Sequence, residues 1–221
     1  MFQYESTLKS DAFGKIEKGM FITNDASIPA IRRVYTRNLW ITPLARLLAR
    51  NEKRALARLM PLKSPYFPTL LEVARHSHVR SFIQGDSMHR ANERLTPEFF
   101  KSSRQLLLTL KRAGVVNNDL AKEANWIITP ESTPSVTDFQ LAFCFKNRVS
   151  QWFLTLCYED LRHLLKHKRK YHSVTAKEKK VLASKSWISV VWMKTGKRVY
   201  HFVTRRLLGW SERQGPEERD I

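Results

Sequence analysis

Between Gly114 and Ala142 the chain reads G-V-V-N-N-D-L-A-K-E-A-N-W-I-I-T-P-E-S-T-P-S-V-T-D-F-Q-L-A. Asp119 follows an apolar pair, Asn125 opens the next apolar run, and Asp138 closes the run after that. If Asn125–Thr129 and Ser135–Thr137 pair as a hairpin across Pro130–Pro134, the far end of the second strand returns beside the start of the first, and the three side chains converge. Two carboxylates and a carboxamide are hard oxygen ligands of the kind Mg²⁺ accepts alongside water and phosphate oxygens. Phosphoryl transfer asks for little more: a carboxylate near the acceptor hydroxyl, and cation ligands that neutralise the phosphates. The plainer alternative is a polar hairpin whose Asp and Asn residues cap turns.

The elements that must position this set can be read outward from it. Residues up to about Tyr35 suggest short strands and turns punctuated by Gly14 and Gly19, ending in the extended run Ala30–Tyr35. Thr42-Pro43 predicts a helix start, with a hydroxyl N-cap and proline at the first helical position. Leu44, Leu48, Ala55 and Leu59 recur at helical spacing, and Glu52 falls on the same stripe. An inward-facing carboxylate requires a cation from a neighbouring element, because an unpaired buried charge is costly. Strand-like runs follow at Thr69–Val73 and Val79–Ile83, a second helix runs from Thr96-Pro97 to Gly114, and helix resumes from about Asn147.

These motifs resemble the catalytic and metal-binding loops of the protein-kinase-like superfamily, H-R-D-L-x-x-x-N followed by D-F-G. The likeness is to its minimal bacterial members, the RIO-like and lipopolysaccharide core (Kdo/heptose) kinases. Asn117 stands in place of the family's histidine and Gln140 in place of the glycine, and Asn125 comes six residues after Asp119 rather than five. The resemblance implies a catalytic base at Asp119, Mg²⁺ ligands at Asn125 and Asp138, and Lys122 near the transferred phosphate. It makes Glu52 the helix-C glutamate and Arg32, in Ala30-Ile31-Arg32, the stand-in for the third-strand lysine, with Arg33 and Arg37 as alternatives. Gly14 and Gly19 would belong to the nucleotide loop. Arg80–Gly85, including Ile83, would form the hinge that meets adenine. The implied fold is α+β and bilobal: a small strand-rich N-lobe over residues 1–85, a helical C-lobe over 86–210, and a polar tail over 211–221. The implied activity is ATP- and Mg²⁺-dependent phosphorylation of a sugar hydroxyl of a lipopolysaccharide-type glycolipid, or of a protein Ser/Thr. The alternative is a non-catalytic kinase-like module for an anionic partner.

Composition agrees with a folded chain drawn to polyanions. Of 221 residues, 43% are hydrophobic, and 39 Lys and Arg against 20 Asp and Glu leave a net charge of +19. The excess is heaviest beyond Leu161, where Trp187, Trp192, Tyr200, Phe202 and Trp210 interleave with basic residues. Such a segment suits an anionic membrane surface, an aromatic core with a solvated basic face, or a nucleic acid, in that order. No signal-peptide pattern opens the chain and no apolar run reaches about 20 residues. The expectation is a cytoplasmic protein lying peripherally on the inner membrane. Cys144 and Cys157 are expected to be buried free thiols. His163 and His167, spaced i,i+4, sit among Arg162, Lys166, Lys168, Arg169 and Lys170, which suggests a solvated basic face rather than a metal site.

Overall fold

The structure, a computed structural model, describes residues 1–36 and 40–184. Arg37 and the basic aromatic segment with Trp187, Trp192, Tyr200, Phe202 and Trp210 therefore lie outside the described residues, as does the tail. The fold is α+β. The chain divides into one compact unit, Met1–Thr175, and a second beginning at Ala176. Of the second, the helix α4 (Ala176–Ala183) is described.

The first unit opens with three strands longer than the short ones expected: β1 (Phe2–Asp11), β2 (Gly14–Ile22) and β3 (Ser27–Tyr35). Helix α1 (Thr42–Leu59) follows, then β4 (Leu70–Val73) and β5 (Ser77–Ser81). These strands form one antiparallel sheet in the order β1-β2-β3-β5-β4. Alternation along β3 and β5 sends Arg33, His78 and Arg80 to one face, since Arg33 pairs with His78 across the ladder and Arg80 lies two residues on.

Helix α1 begins where the proline predicted, but its cap is different. Ile41 occupies the N-cap without a side-chain hydrogen bond, and the Thr42 hydroxyl donates instead to the Thr36 carbonyl at 3.3 Å. The buried stripe is Ala45, Ala49, Glu52, Ala55, Leu56 and Leu59. Leu44, expected on it, is exposed and Leu48 half-buried, because the stripe's first two turns run through the alanines one position later.

Strand β6 (Asp86–Ser87) leads to α2 (Pro97–Ala113). The Thr96 hydroxyl caps α2 by accepting from the Phe99 amide at 3.2 Å, and Gly114 ends it at φ 70°, a left-handed conformation suited to glycine. The strands β7 (Val115–Val116), β8 (Trp126–Ile128), β9 (Pro134–Val136) and β10 (Phe143–Cys144) come next. They form a β6-β8-β9 sheet, which contains the expected hairpin, and a β10-β7 pair. The long α3 (Gln151–Tyr171) starts later than Asn147, where the Ser150 hydroxyl accepts from the Phe153 amide. Leu56 and Leu59 of α1, Phe99, Leu106 and Leu110 of α2, Trp126, Ile128, Val136, Phe139 and Leu164 make one continuous core. Among the described residues no helix is long and apolar enough to cross a membrane. Both cysteines are free and half-buried, and burial pushes the Cys157 thiol up to about 12.

Candidate functional site

Two clusters share the residues singled out in the sequence. The first lies between the sheet and α1. Glu52 is fully buried. Its carboxylate lies 3.5 Å from Arg33 Nε, 3.4 Å from Arg80 Nε and 3.5 Å from His78 Nε2. Burial alone would raise its proton affinity, but Arg33, His78 and Arg80 outweigh that and hold it well below the usual carboxylate range. The charge of Asp138 also acts on both Arg33 and Arg80, so the four ionised groups form one electrostatic neighbourhood. Behind His78, the Tyr35 hydroxyl lies 2.6 Å from Nδ1. Burial, reinforced by the Glu52 charge, raises the Tyr35 phenol. Because a carboxylate only accepts, Glu52 favours the tautomer with the imidazole proton on Nε2, in which Nδ1 accepts from the Tyr35 hydroxyl.

The cation that meets Glu52 is thus Arg33, not Arg32. Adjacent strand residues face opposite ways, and Arg32 points to the far side, where its Nε donates to Glu17 at 2.7 Å and its guanidinium covers the Phe2 ring. Gly19 is also displaced from its expected role. It sits within β2, paired with Tyr4 and Ala30, where a Cβ would come within 2.0 Å of the Gln3 carbonyl. Gly14 does occupy the β1–β2 turn, at φ 137°. Ile83 lies half-buried in the segment joining the five-stranded sheet to β6, while Arg80, expected with it at the hinge, faces Glu52.

The second cluster is the loop between β7 and β8 with the residues after β9. Asn125 Nδ2 donates to both the carbonyl and the Oδ2 of Asp119, each at 2.9 Å, and Lys122 Nζ reaches the same Oδ2 at 2.8 Å. Asn117 ties the two halves together: its Oδ1 accepts from the Asp119 amide at 3.0 Å and its Nδ2 donates to the Asp138 carbonyl at 3.2 Å. The Thr137 amide donates to the Asn125 carbonyl. Asn118 and Asp138 both adopt positive φ, at 63° and 55°. Asn118 donates from its side chain to Leu141, and the Asp138 carboxylate accepts the Gln140 amide, local bonds that help Asn and Asp tolerate this region. Burial raises the proton affinity of Asp119, with a smaller contribution from the Asp138 charge, while Lys122 and Asn125 oppose it.

Two supports of this loop are not evident from the sequence pattern. Asp160 of α3 is buried and accepts the amides of Asn117 at 2.9 Å and Asn118 at 3.2 Å. Burial pushes its carboxyl up to about 7 despite those bonds. The signal available was Glu159-Asp160, an acidic pair inside an apolar and basic helix. His167 is buried rather than solvated: its Nε2 donates to the Leu120 carbonyl at 2.8 Å, which also accepts the Trp126 indole at 3.1 Å. Arg162 is buried against Glu159 at 2.7 Å. The basic face expected over this stretch is therefore interrupted at Arg162 and His167.

Asn125 spends its Nδ2 on Asp119, so its Oδ1 is the atom left for a cation, and Asp138 follows Thr137, whose amide donates to the Asn125 carbonyl. This hard-oxygen pair fits Mg²⁺ completed by phosphate oxygens and water. Among the described residues no group of three His, Cys, Asp or Glu side chains is placed to hold a metal. No family model matches this chain, and no curated protein matches it.

Proposed function

We propose that the protein is a kinase-like phosphotransferase of minimal architecture, using Mg·ATP and an alcohol acceptor. The observation that carries this reading is the pairing of Glu52 on the single helix after the third strand with Arg33 on that strand, with Asp138 acting on the same arginine. In kinases a third-strand cation and a helix glutamate form this ion pair and bring the cation to the phosphates. Here Arg33 takes that part, with Arg80 as a second cation against the same carboxylate. Asp119, held by Asn117 and Asn125, accepts the proton of the acceptor hydroxyl, and its raised proton affinity brings it nearer that task. Lys122, mostly exposed, offers a mobile positive charge at the edge of the loop. Mg²⁺ held by Asn125 and Asp138 would neutralise the phosphates. The likeness to lipopolysaccharide core kinases makes a glycolipid sugar hydroxyl the first acceptor to try, with a protein Ser/Thr second.

Calorimetry with Mg·ATP, then labelled ATP offered with glycolipid, lipid and protein acceptors, tests this. The expected outcome is Mg·ATP binding and label transfer to one acceptor. Asp119→Ala should keep the binding and lose about 10²–10⁴-fold in transfer. Transfer unchanged by Asp119→Ala would remove the catalytic assignment. Binding without transfer to any acceptor would favour a nucleotide-binding module, and no binding would sink the whole reading.

A further inference from the structure

The side of α1 opposite Glu52 carries a different pattern. Arg46, Arg50, Arg54 and Arg58 recur every fourth residue, and at 1.5 Å per residue they span about 18 Å along the helix. The first three are exposed and Arg58 is half-buried, and among the described residues none of the four has a carboxylate partner. Like charges at this spacing repel and weaken the helix. Glu52, the helix's one acidic residue, is turned inward. The ladder continues past the helix. The point where a Cβ on Gly114 would sit lies 3.3 Å from both the Arg58 guanidinium and the side chain of Arg148, itself exposed beside Lys146.

Apolar side chains flank this row. Trp40 is 94% exposed just before α1, Leu44 46% and Leu47 52% on its first turns, and Phe143 51% on β10. Phe143 lines a small groove together with Asn51 and Arg54. We propose that this face of α1, from Trp40 to Arg58 with Phe143 and Arg148, docks on an anionic lipid surface. Arginines on phosphate headgroups and neighbouring Trp, Leu and Phe in the acyl boundary are the pattern of an interfacial helix. A nucleic acid would satisfy the arginines but has no use for exposed leucines beside them. A second copy of the chain, at a net charge of +19, brings the wrong sign. The proposal stands on charge and exposure alone and does not depend on phosphotransfer.

Co-sedimentation with phosphatidylglycerol-containing and pure phosphatidylcholine vesicles tests it. The wild type should bind only the former, and less as salt rises, since exposed charges are screened within about 8 Å at physiological ionic strength. The triple variant Arg46→Gln, Arg50→Gln, Arg54→Gln should lose about 100-fold in vesicle affinity, at roughly fivefold per arginine. A control triple, Lys15→Gln, Lys101→Gln, Arg104→Gln, removes equal charge elsewhere and should lose far less. Leu44→Gln with Leu47→Gln should weaken vesicle binding while leaving oligonucleotide retention unchanged. Equal losses in both triples would overturn the proposal in favour of a diffuse field. Oligonucleotide binding through the same arginines, without vesicle binding, would replace lipid by nucleic acid. These substitutions lie on solvent-facing positions and keep good helix formers, so circular dichroism should show an intact fold. Mg·ATP calorimetry on the same variants registers the phosphotransfer reading in a separate assay.

Discussion

Glu52, between the five-stranded sheet and α1, and Asp160, beneath the loop that carries Asp119, are both buried carboxylates, yet their partners are of opposite kinds. Glu52 faces two guanidinium charges at 3.4–3.5 Å, long for hydrogen bonds. Asp160 faces two backbone amides at 2.9 and 3.2 Å. Burial opposes ionisation in both. Two guanidiniums overcome it and keep Glu52 ionised; two amide dipoles do not, and the Asp160 carboxyl rises to about 7. The geometry differs in the same sense. Coulomb contacts change slowly with distance, so Arg33 and Arg80 can shift toward an arriving anion without losing Glu52. Directional hydrogen bonds weaken steeply when misaligned, so Asp160 fixes the loop backbone.

The sharpest way to break this contrast is Glu52→Gln. It leaves Arg33 and Arg80 buried with Asp138, and for Arg33 also Asp11, to compensate, and should cost about 3–5 kcal/mol in urea unfolding. The sign with pH follows from the lowered proton affinity. Glu52's contribution is present above its unfolded-state value, near pH 4.5, and is lost as pH falls through its folded-state value. The variant should lack that acid-side loss. A variant as stable as wild type at pH 7 would mean that the arginines have no need of Glu52.

What the sequence made legible follows the range of the interactions. The α1 and α2 starts, the Gly114 stop, the β8–β9 hairpin and the inward Glu52 rest on signals within a few residues: proline, capping hydroxyls, periodicity. Arg33 was harder, because a one-residue difference on a strand reverses the face and Arg32 and Arg33 are identical in type. The roles of Asp160 and His167 were the least legible, the acidic pair Glu159-Asp160 being the one local signal. Each acts on backbone more than 40 residues away, on Asn117 and on Leu120, and the helical pattern around them is that of any basic helix. In the sequence Asn117 stands out only as a departure from a histidine, whereas its carboxamide both accepts from the Asp119 amide and donates to the Asp138 carbonyl, so one side chain bridges both halves of the site.

Asp160→Asn probes the other side of the comparison at smaller cost. The amide retains one acceptor oxygen but turns an NH₂ toward a backbone N–H, and should destabilise by about 1–3 kcal/mol. Because the folded-state carboxyl is raised, its stabilising contribution is complete below about pH 4 and fades as pH rises through about 7. Asn does not titrate. The stability gap between wild type and variant should therefore narrow from pH 5 to pH 8, opposite in direction to the Glu52 effect. A gap that widens would show that the amides, not burial, dominate this site.

Tyr35→Phe makes the smallest change and asks whether the Glu52 cluster includes a directional link of its own. The Tyr35 hydroxyl lies 2.6 Å from His78 Nδ1, and as a donor there it matches the tautomer that presents Nε2–H to Glu52. Removing it leaves Nδ1 buried without its donor, at a cost of about 1 kcal/mol. The informative measurement is a double-mutant cycle. If His78 reaches Glu52 through its tautomer, Tyr35→Phe should cost less in the Glu52→Gln background, because the proton on Nε2 no longer faces a carboxylate. Equal costs in both backgrounds would reduce the Tyr35–His78 pair to packing. Glu52 would then be held by the two arginines alone, and the contrast with the amide-bound Asp160 would be complete.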